Sequence, residues 1–326
     1  MKRLLHAALA IALAVAAAPP GFAQSFPSKP LRIIVPFPPG GAVDPLVRAL
    51  ANGLTGRIGQ PVLVENRPGA TGAIGMNLCA KSPPDGYTLC FVTSDGMAVL
   101  PALGVALPFD VEKDFEPVAL LGTSKPVLVA SARSPFDSFA GLKAYAKTNP
   151  GKVNFGTFGE GGSSHQLLAA IQHGAGISIT NVPYKGTGPA LQAAVAGEVD
   201  LALSIAPVVL PHIKAGRLKP ILVLASARLA ALPDVPTYIE ESVPLFRATW
   251  FGIVVPAGVP KDIVERLHAD IAALIADPKW RERYMPADSY DASGIGPAEF
   301  ARVLAESRAN GRAIAELLRA GGYKPQ

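Results

Sequence analysis

The chain is short of most features that fix an activity. It has two cysteines in 326 residues, too few for a disulfide-built scaffold. Cys79 and Cys90 have neither C-x-x-C redox spacing nor zinc-ligand spacing. His165, His173, His212 and His268 are scattered without metal-ligand spacing, so no metal is expected. G-x-G-x-x-G and the phosphate loop are missing, which removes the usual nucleotide fingerprints. The G-x-S-x-G elbow of α/β hydrolases is missing too. No basic cluster carries interleaved aromatics, which argues against a nucleic-acid partner. Past the first residues no apolar run reaches the ~18 residues of a membrane-spanning helix. Repeats and low-complexity tracts are absent.

What is present is an export signal and a globular composition. Lys2 and Arg3 precede an apolar run over 4–18, and Gly21 and Ala23 supply small residues at the −3 and −1 positions of a cleavage site. We expect a signal peptide over 1–23, cut after Ala23, and an exported, soluble remainder. Loss of Lys2 and Arg3 lowers the formal charge from +5 to +3, a small excess that permits an anionic ligand without requiring one. The length allows two domains with real cores. In an oxidising compartment Cys79 and Cys90 are able to pair, or they are two separate small core residues. The sequence leaves both readings open, because it does not fix the Cα distance.

Residues 31–50, LRIIVPFPPGGAVDPLVRAL, organise the reading. The apolar, β-branched run 31–35 is a buried strand. Pro36, Pro38 and Pro39 end it, and Gly40 and Gly41 allow a turn that a Cβ would hinder. Asp44 before Pro45 reads as an N-cap followed by proline at the first helical position. Strand, glycine turn and helix start together aim free N–H groups and a positive dipole end at one point, which suits a small anion such as a carboxylate. The device recurs at 156–164 and 186–189. Strands are expected at 61–64, 87–93, 118–121, 127–130, 153–156, 179–182, 201–205, 220–225 and 250–255, with helices between most of them and at 261–276 and 297–318. This alternation predicts an α/β protein with parallel sheets covered by helices. The chain should cross between two lobes near Ser124 and near Phe246. Such crossings would act as hinges.

Several blocks taken together resemble one family. SFPSKPLRIIVPFPPGGAVD, VLVENRPGATGAIG, KSPPDGYTL, FDVEKDFEPV, NPGKVNFGTFGEGGSSH, VPYKGTGPALQAAVAGEVDL, LPHIKAGRLKPILVLASAR, LPDVPT and WFGIVVPAGVP are similar, in order and spacing, to the Bug family of periplasmic solute-binding proteins of tripartite tricarboxylate transporters. The resemblance spans the mature chain. It implies a two-lobed, type II (Venus-flytrap) periplasmic-binding fold, with the ligand cleft between a discontinuous lobe (24–124 and 247–326) and a second lobe (125–246). It implies capture of a small organic carboxylate in the periplasm, delivery to membrane transporter subunits, no enzyme activity, no cofactor and a monomer. A periplasmic sensor feeding a signalling kinase is the alternative. An exported serine hydrolase is a remote one, since adjacent Ser164 and His165 are poorly placed as nucleophile and base.

In the family, two loops hold one carboxylate, partly through water. They match Phe37, Pro39, Gly40, Gly41, Ala42 and Asp44 here, and Thr157, Phe158, Gly162, Ser163, Ser164 and His165. Pro183, Tyr184 and Lys185 border the cleft, and Ser94 and Ser204 complete the expected ligand-binding set. Asp44 is expected to order its loop, since direct contact with an anion would be repulsive. Phe37 is either a lid or a core plug, and Tyr184 either walls the cleft or packs. His165 serves the ligand or a structural hydrogen bond, and Lys185 serves the ligand or the solvent. The family's polar residues after 201 are replaced by Leu203-Ser204-Ile205-Ala206-Pro207, and its Asn-Pro pair by Leu100-Pro101. Both changes make the outer pocket less polar. The expected ligand is therefore a monocarboxylate, or an aromatic or aliphatic acid, in preference to citrate.

Overall fold

The computed structural model describes residues 26–40, 43–69, 72–158, 161–243 and 249–320. The expected signal peptide, Gly41, Ala42 and the crossing at Phe246 lie outside these described residues. Two mixed sheets with helices form two lobes. The first sheet contains β1 (Leu31–Val35), β2 (Val62–Asn66), β3 (Thr88–Thr93), β4 (Phe115–Ser124), β10 (Trp250–Pro256) and β11 (Tyr290–Ile295), in the order β11-β4-β10-β3-β1-β2. The second contains β5 (Pro126–Ser131), β6 (Asn154–Phe158), β7 (Thr180–Tyr184), β8 (Leu201–Ile205) and β9 (Leu218–Val223), in the order β7-β6-β8-β5-β9.

The expectation of parallel sheets is corrected by β10 and β11 in the first sheet, the latter antiparallel to β4, and by β5 in the second. β10 lies antiparallel to β3 and β4, and β5 antiparallel to β8 and β9. The reason is the crossing. Only Lys125 separates β4 from β5, so β5 enters the second sheet heading away from the first. β10 makes the return journey and runs against its neighbours. All the remaining strands except β11 therefore point their carboxyl ends at the gap between the lobes, where open α/β sheets bind ligands. The two passages run side by side: the Ser124 amide donates to the Thr249 carbonyl at 2.9 Å.

The helices cover both faces. α1 (Asp44–Ile58) buries Leu46, Val47, Leu50 and Leu54 against Leu31, Ile33 and Val35, and α8 (Lys261–Ala276) packs beside it. α2 (Ala73–Ala80) lies on the other face, where a disulfide joins Cys79 to Cys90 of β3 with Cα atoms 6.2 Å apart. A π-helical turn, Asp95–Val99, runs into α3 (Leu100–Ala102). The second lobe carries α4 (Phe139–Thr148), α5 (Ser163–Ala175), α6 (Thr187–Ala196) and α7 (Ala206–Lys214). α9 (Pro278–Tyr284) and α10 (Pro297–Ala320) complete the chain's helices among the described residues. Two segments bridge the lobes. α10 packs Phe300 and Leu304 on the first sheet but sends Ile314, Ala315 and Leu318 into the core of the second lobe. Val99, Leu100 and Leu103 enter that same second-lobe core.

Candidate functional site

The loop after β1 is built as a turn fixed from behind. Gly40 has φ of 75°, a left-handed conformation that favours glycine. Asp44 is not the N-cap expected from its position before Pro45. Val43 takes that place with no side-chain cap, and Asp44 is the first helical residue. Its buried carboxylate accepts from the Gly40 amide at 3.1 Å, Arg48 Nε at 2.9 Å and Asn66 Nδ2 at 3.0 Å. Burial pushes the carboxyl's pKa up, but the bonds from Arg48, Asn66 and Gly40 outweigh it and hold the group below its ordinary value. Asp44 therefore spends its acceptors on the loop. Phe37 packs edge-on against Phe91 at the first lobe's core, and its carbonyl accepts from Asn66. Pro39 is exposed.

The loop before α5 is also committed internally. Thr157 is fully buried and donates to Asn181 Oδ1 at 2.5 Å. Ser164 Oγ accepts from the Phe158 amide at 2.9 Å. His165 Nδ1 accepts from the Gly161 amide at 3.2 Å. Gly162 is the extended N-cap, and the Ser163 amide that follows it is taken by Asp95 of the first lobe at 3.0 Å. Gln166 Nε2 donates to the same carboxylate at 2.9 Å and to the Gly161 carbonyl at 2.9 Å. Burial pushes the Asp95 pKa up to about 6, against the lowering effect of Gln166 and Ser163. Asp95 is a residue the sequence reading missed. Its only signal was its place directly after Ser94 at the end of a strand.

A cavity of about 310 Å³ lies between the lobes, a size within the range of small-molecule sites. The first lobe contributes Gly40, Pro45 and Leu46 at the start of α1, and Arg283, Tyr284, Pro286 and Tyr290 around α9 and β11. The second contributes Thr187, Gly188 and Leu191 of α6, then Ser204, Ile205, Pro207 and Val208 where β8 runs into α7. None of these is acidic. None of the starts of α1, α6 and α7 has a side-chain cap; Pro45, Pro189 and Pro207 each remove one donor, and the other first-turn N–H groups are left uncapped. Of the residues expected from sequence, Gly40 and Ser204 line this cavity. Pro183, Tyr184 and Lys185 lead into its α6 wall, with Tyr184 packed on the second lobe's core and Lys185 exposed. Gly162, Ser163, Ser164 and His165 do not line it. Gly186, at φ 130°, brings the two sides together: a Cβ there would lie 3.5 Å from Pro38 Cγ.

Among the described residues no group of acids, histidines or cysteines is placed to hold a metal ion, and no helix is long and apolar enough to cross a membrane. Two lobes, a double crossing and a cleft at the carboxyl ends of the strands define the class: a two-lobed periplasmic-binding fold. Residues 46–317 match the family model described as the tripartite tricarboxylate transporter family receptor, and the chain belongs to that family. Protein BugT of Bordetella pertussis is 39% identical over 274 residues, covering 83% of this chain and 84% of that protein. A solved structure of R. palustris Rpa4515 with adipate is similar at a TM-score of 0.85 and 29% identity, covering 92% of this chain and all of that one (100%). MatC from Rhodopseudomonas palustris with bound malate is similar at a TM-score of 0.81 and 29% identity, covering 89% and 100%.

Proposed function

We propose that this protein captures a small organic acid in the periplasm, in the cleft between its lobes, and as a monomer delivers it to the membrane subunits of a tripartite transporter. The observation that carries the reading is the inter-lobe cavity itself. Uncapped helix starts from both lobes open on it and no acidic side chain lines it, which is the arrangement an anion requires. Family membership and the acids named with two similar structures support the same class. Binding is all the site is asked to do, since family and fold are those of a receptor. The turn from Phe37 through Asp44, together with Ser94, the loop from Thr157 to His165 and the approach at Lys185, forms the surround that positions water and backbone donors.

Leu46, Leu191, Ile205 and Val208 give the cavity apolar walls. An acid with an apolar body, aliphatic or aromatic, therefore fits better than citrate. Citrate would leave hydroxyl and carboxylate groups against those walls without partners. Titration calorimetry of the mature protein against citrate and a panel of apolar acids tests the class. Tight citrate binding with no heat from the apolar acids sinks it. Loss of uptake of the bound acid on gene deletion tests the transport role.

A further inference from the structure

The stretch from Tyr284 to Asp291 touches three parts of the molecule at once. Toward the cleft it supplies Tyr284, Pro286 and Tyr290 to the wall of the inter-lobe cavity. Behind that wall it grips the first crossing, where Lys125 is the single residue between β4 and β5. The Lys125 amide donates to the Ser289 carbonyl at 2.7 Å. Its ammonium donates to the Ala287 carbonyl at 3.0 Å and pairs with Asp291 at 2.6 Å. At its middle the stretch reaches the second lobe. Asp288 Oδ1 accepts from the Ala230 amide at 3.0 Å, and Leu229 and Leu232 on either side of Ala230 belong to that lobe's core.

The same segment is incompletely satisfied where it sits. α9, which leads into it, fully buries none of its residues. Trp280 packs on the first lobe's core, yet its buried Nε1 has no hydrogen-bond partner among the described residues. Ser289 is fully buried, and its hydroxyl has none either. Buried polar atoms are normally bonded, so two orphans in one segment mark a seating below its best. Elements of low local stability are the ones that move when a ligand arrives. A ligand shifts a conformation only by touching its two forms differently, and one lying against Tyr284, Pro286 and Tyr290 meets that condition.

We propose that residues 284–291 form a strap that couples the cavity to the crossing. A ligand pressing on the wall re-seats the strap, and Lys125 and Asp288, as positioning residues, convert that movement into a change in the angle between the lobes. This rests on the reading of the cavity as the ligand site. The lobes approach one another at Pro38 and Gly186 in this structure, so the bond from Ala230 to Asp288 favours the nearer spacing.

Trp250 and Trp280 are the chain's two tryptophans, so intrinsic fluorescence reads the strap directly. Titration with hexanoate, benzoate and adipate, with calorimetry in parallel, should move the emission of the wild type and of Trp250→Phe but not that of Trp280→Phe. Neither Lys125 nor Asp288 lines the cavity. Even so, Lys125→Met and Asp288→Ala should bind the acid about fivefold more weakly, the contribution of one hydrogen bond. Thermal melts of both variants separate that loss from a loss of fold. Without ligand, small-angle scattering should give both variants a larger radius of gyration than the wild type. Heat from an acid with unmoved Trp280 emission, or with unchanged affinity in both variants, overturns the strap and leaves the cavity reading standing. No heat from any of the three acids at millimolar concentration overturns the cavity reading, and equal radii of gyration in the ligand-free proteins overturn the strap as well.

Discussion

Asp95 of the first lobe accepts the Ser163 amide of the second at 3.0 Å, so a carboxylate belonging to the protein sits at the start of α5. That bond and the one from Gln166 span the lobes beside the bridging segment from the π-turn to α3. Removing the carboxyl by Asp95→Ala strands the Ser163 amide and the Gln166 side chain. A loss of about 1–3 kcal/mol is expected, read as a lower denaturation midpoint.

Asp95 also sets a pH dependence. Its folded-state pKa is raised to about 6 from 3.8, so the native state holds the proton more tightly than the unfolded chain. Its contribution to stability is fully present below the unfolded value and is lost as pH rises through the folded one. Denaturant titrations between about pH 4 and pH 7 should show wild-type stability falling relative to Asp95→Asn, which has no proton to lose in that range. A difference between the two that does not change with pH contradicts this.

Asp44 carries the opposite sign. Its pKa is held below 3.8, so its contribution is present above the unfolded value and lost as pH falls through the folded one. Asp44→Ala releases Gly40, Arg48 and Asn66 at once. It should cost about 1–3 kcal/mol and weaken acid binding by loosening the turn that lines the cleft. Thermal melts and calorimetry on one preparation separate the two effects. Intact affinity would show that Gly40 holds its place unaided.

The disulfide between Cys79 and Cys90 closes a short loop of sequence separation 11. Cys79→Ser with Cys90→Ser should lower stability by about 2–4 kcal/mol. Both sulfurs lie in a core cluster away from the cavity, so acid affinity at low temperature should be unchanged. A matching loss of affinity would connect this face to the cleft.

Gly186→Val places a branched side chain at φ 130°, facing Pro38 across the lobes. Backbone strain of about 1–3 kcal/mol is expected, together with a loss of acid affinity greater than the stability change explains. An unaltered dissociation constant would mean that this approach has no part in closure.

The strands with dense β-branched and leucine content were legible because their burial and their composition agree. LRIIV, PVLVAS and LALSI are examples. β11 was not, because YDASGI is an edge strand whose alternating exposure leaves no apolar run. α9 was missed although its signal is printed in the chain: Asp277 caps it, accepting from the amides of Lys279 and Trp280, and Pro278 follows. That omission hid Arg283, Tyr284 and Tyr290, hence the first lobe's outer wall. At the cavity, Gly40 followed from a strand end and its glycine turn, whereas Ser204 entered only with the family resemblance. The internal commitment of Thr157 and Ser164 could not be read, since a hydroxyl's partner depends on a fold that spacing alone does not reveal.

The tail of α10 has a consequence for dissection of the molecule. Ile314, Ala315 and Leu318 come from beyond β11 yet fill the second lobe's interior, next to Leu100 and Leu103 from before β4. A fragment excised between the crossings would carry an open apolar hollow where these five side chains belong, and should aggregate. The second lobe is finished by sequence from outside it, so it is inherited and folded with the whole chain, and only the cleft side is left free to gape.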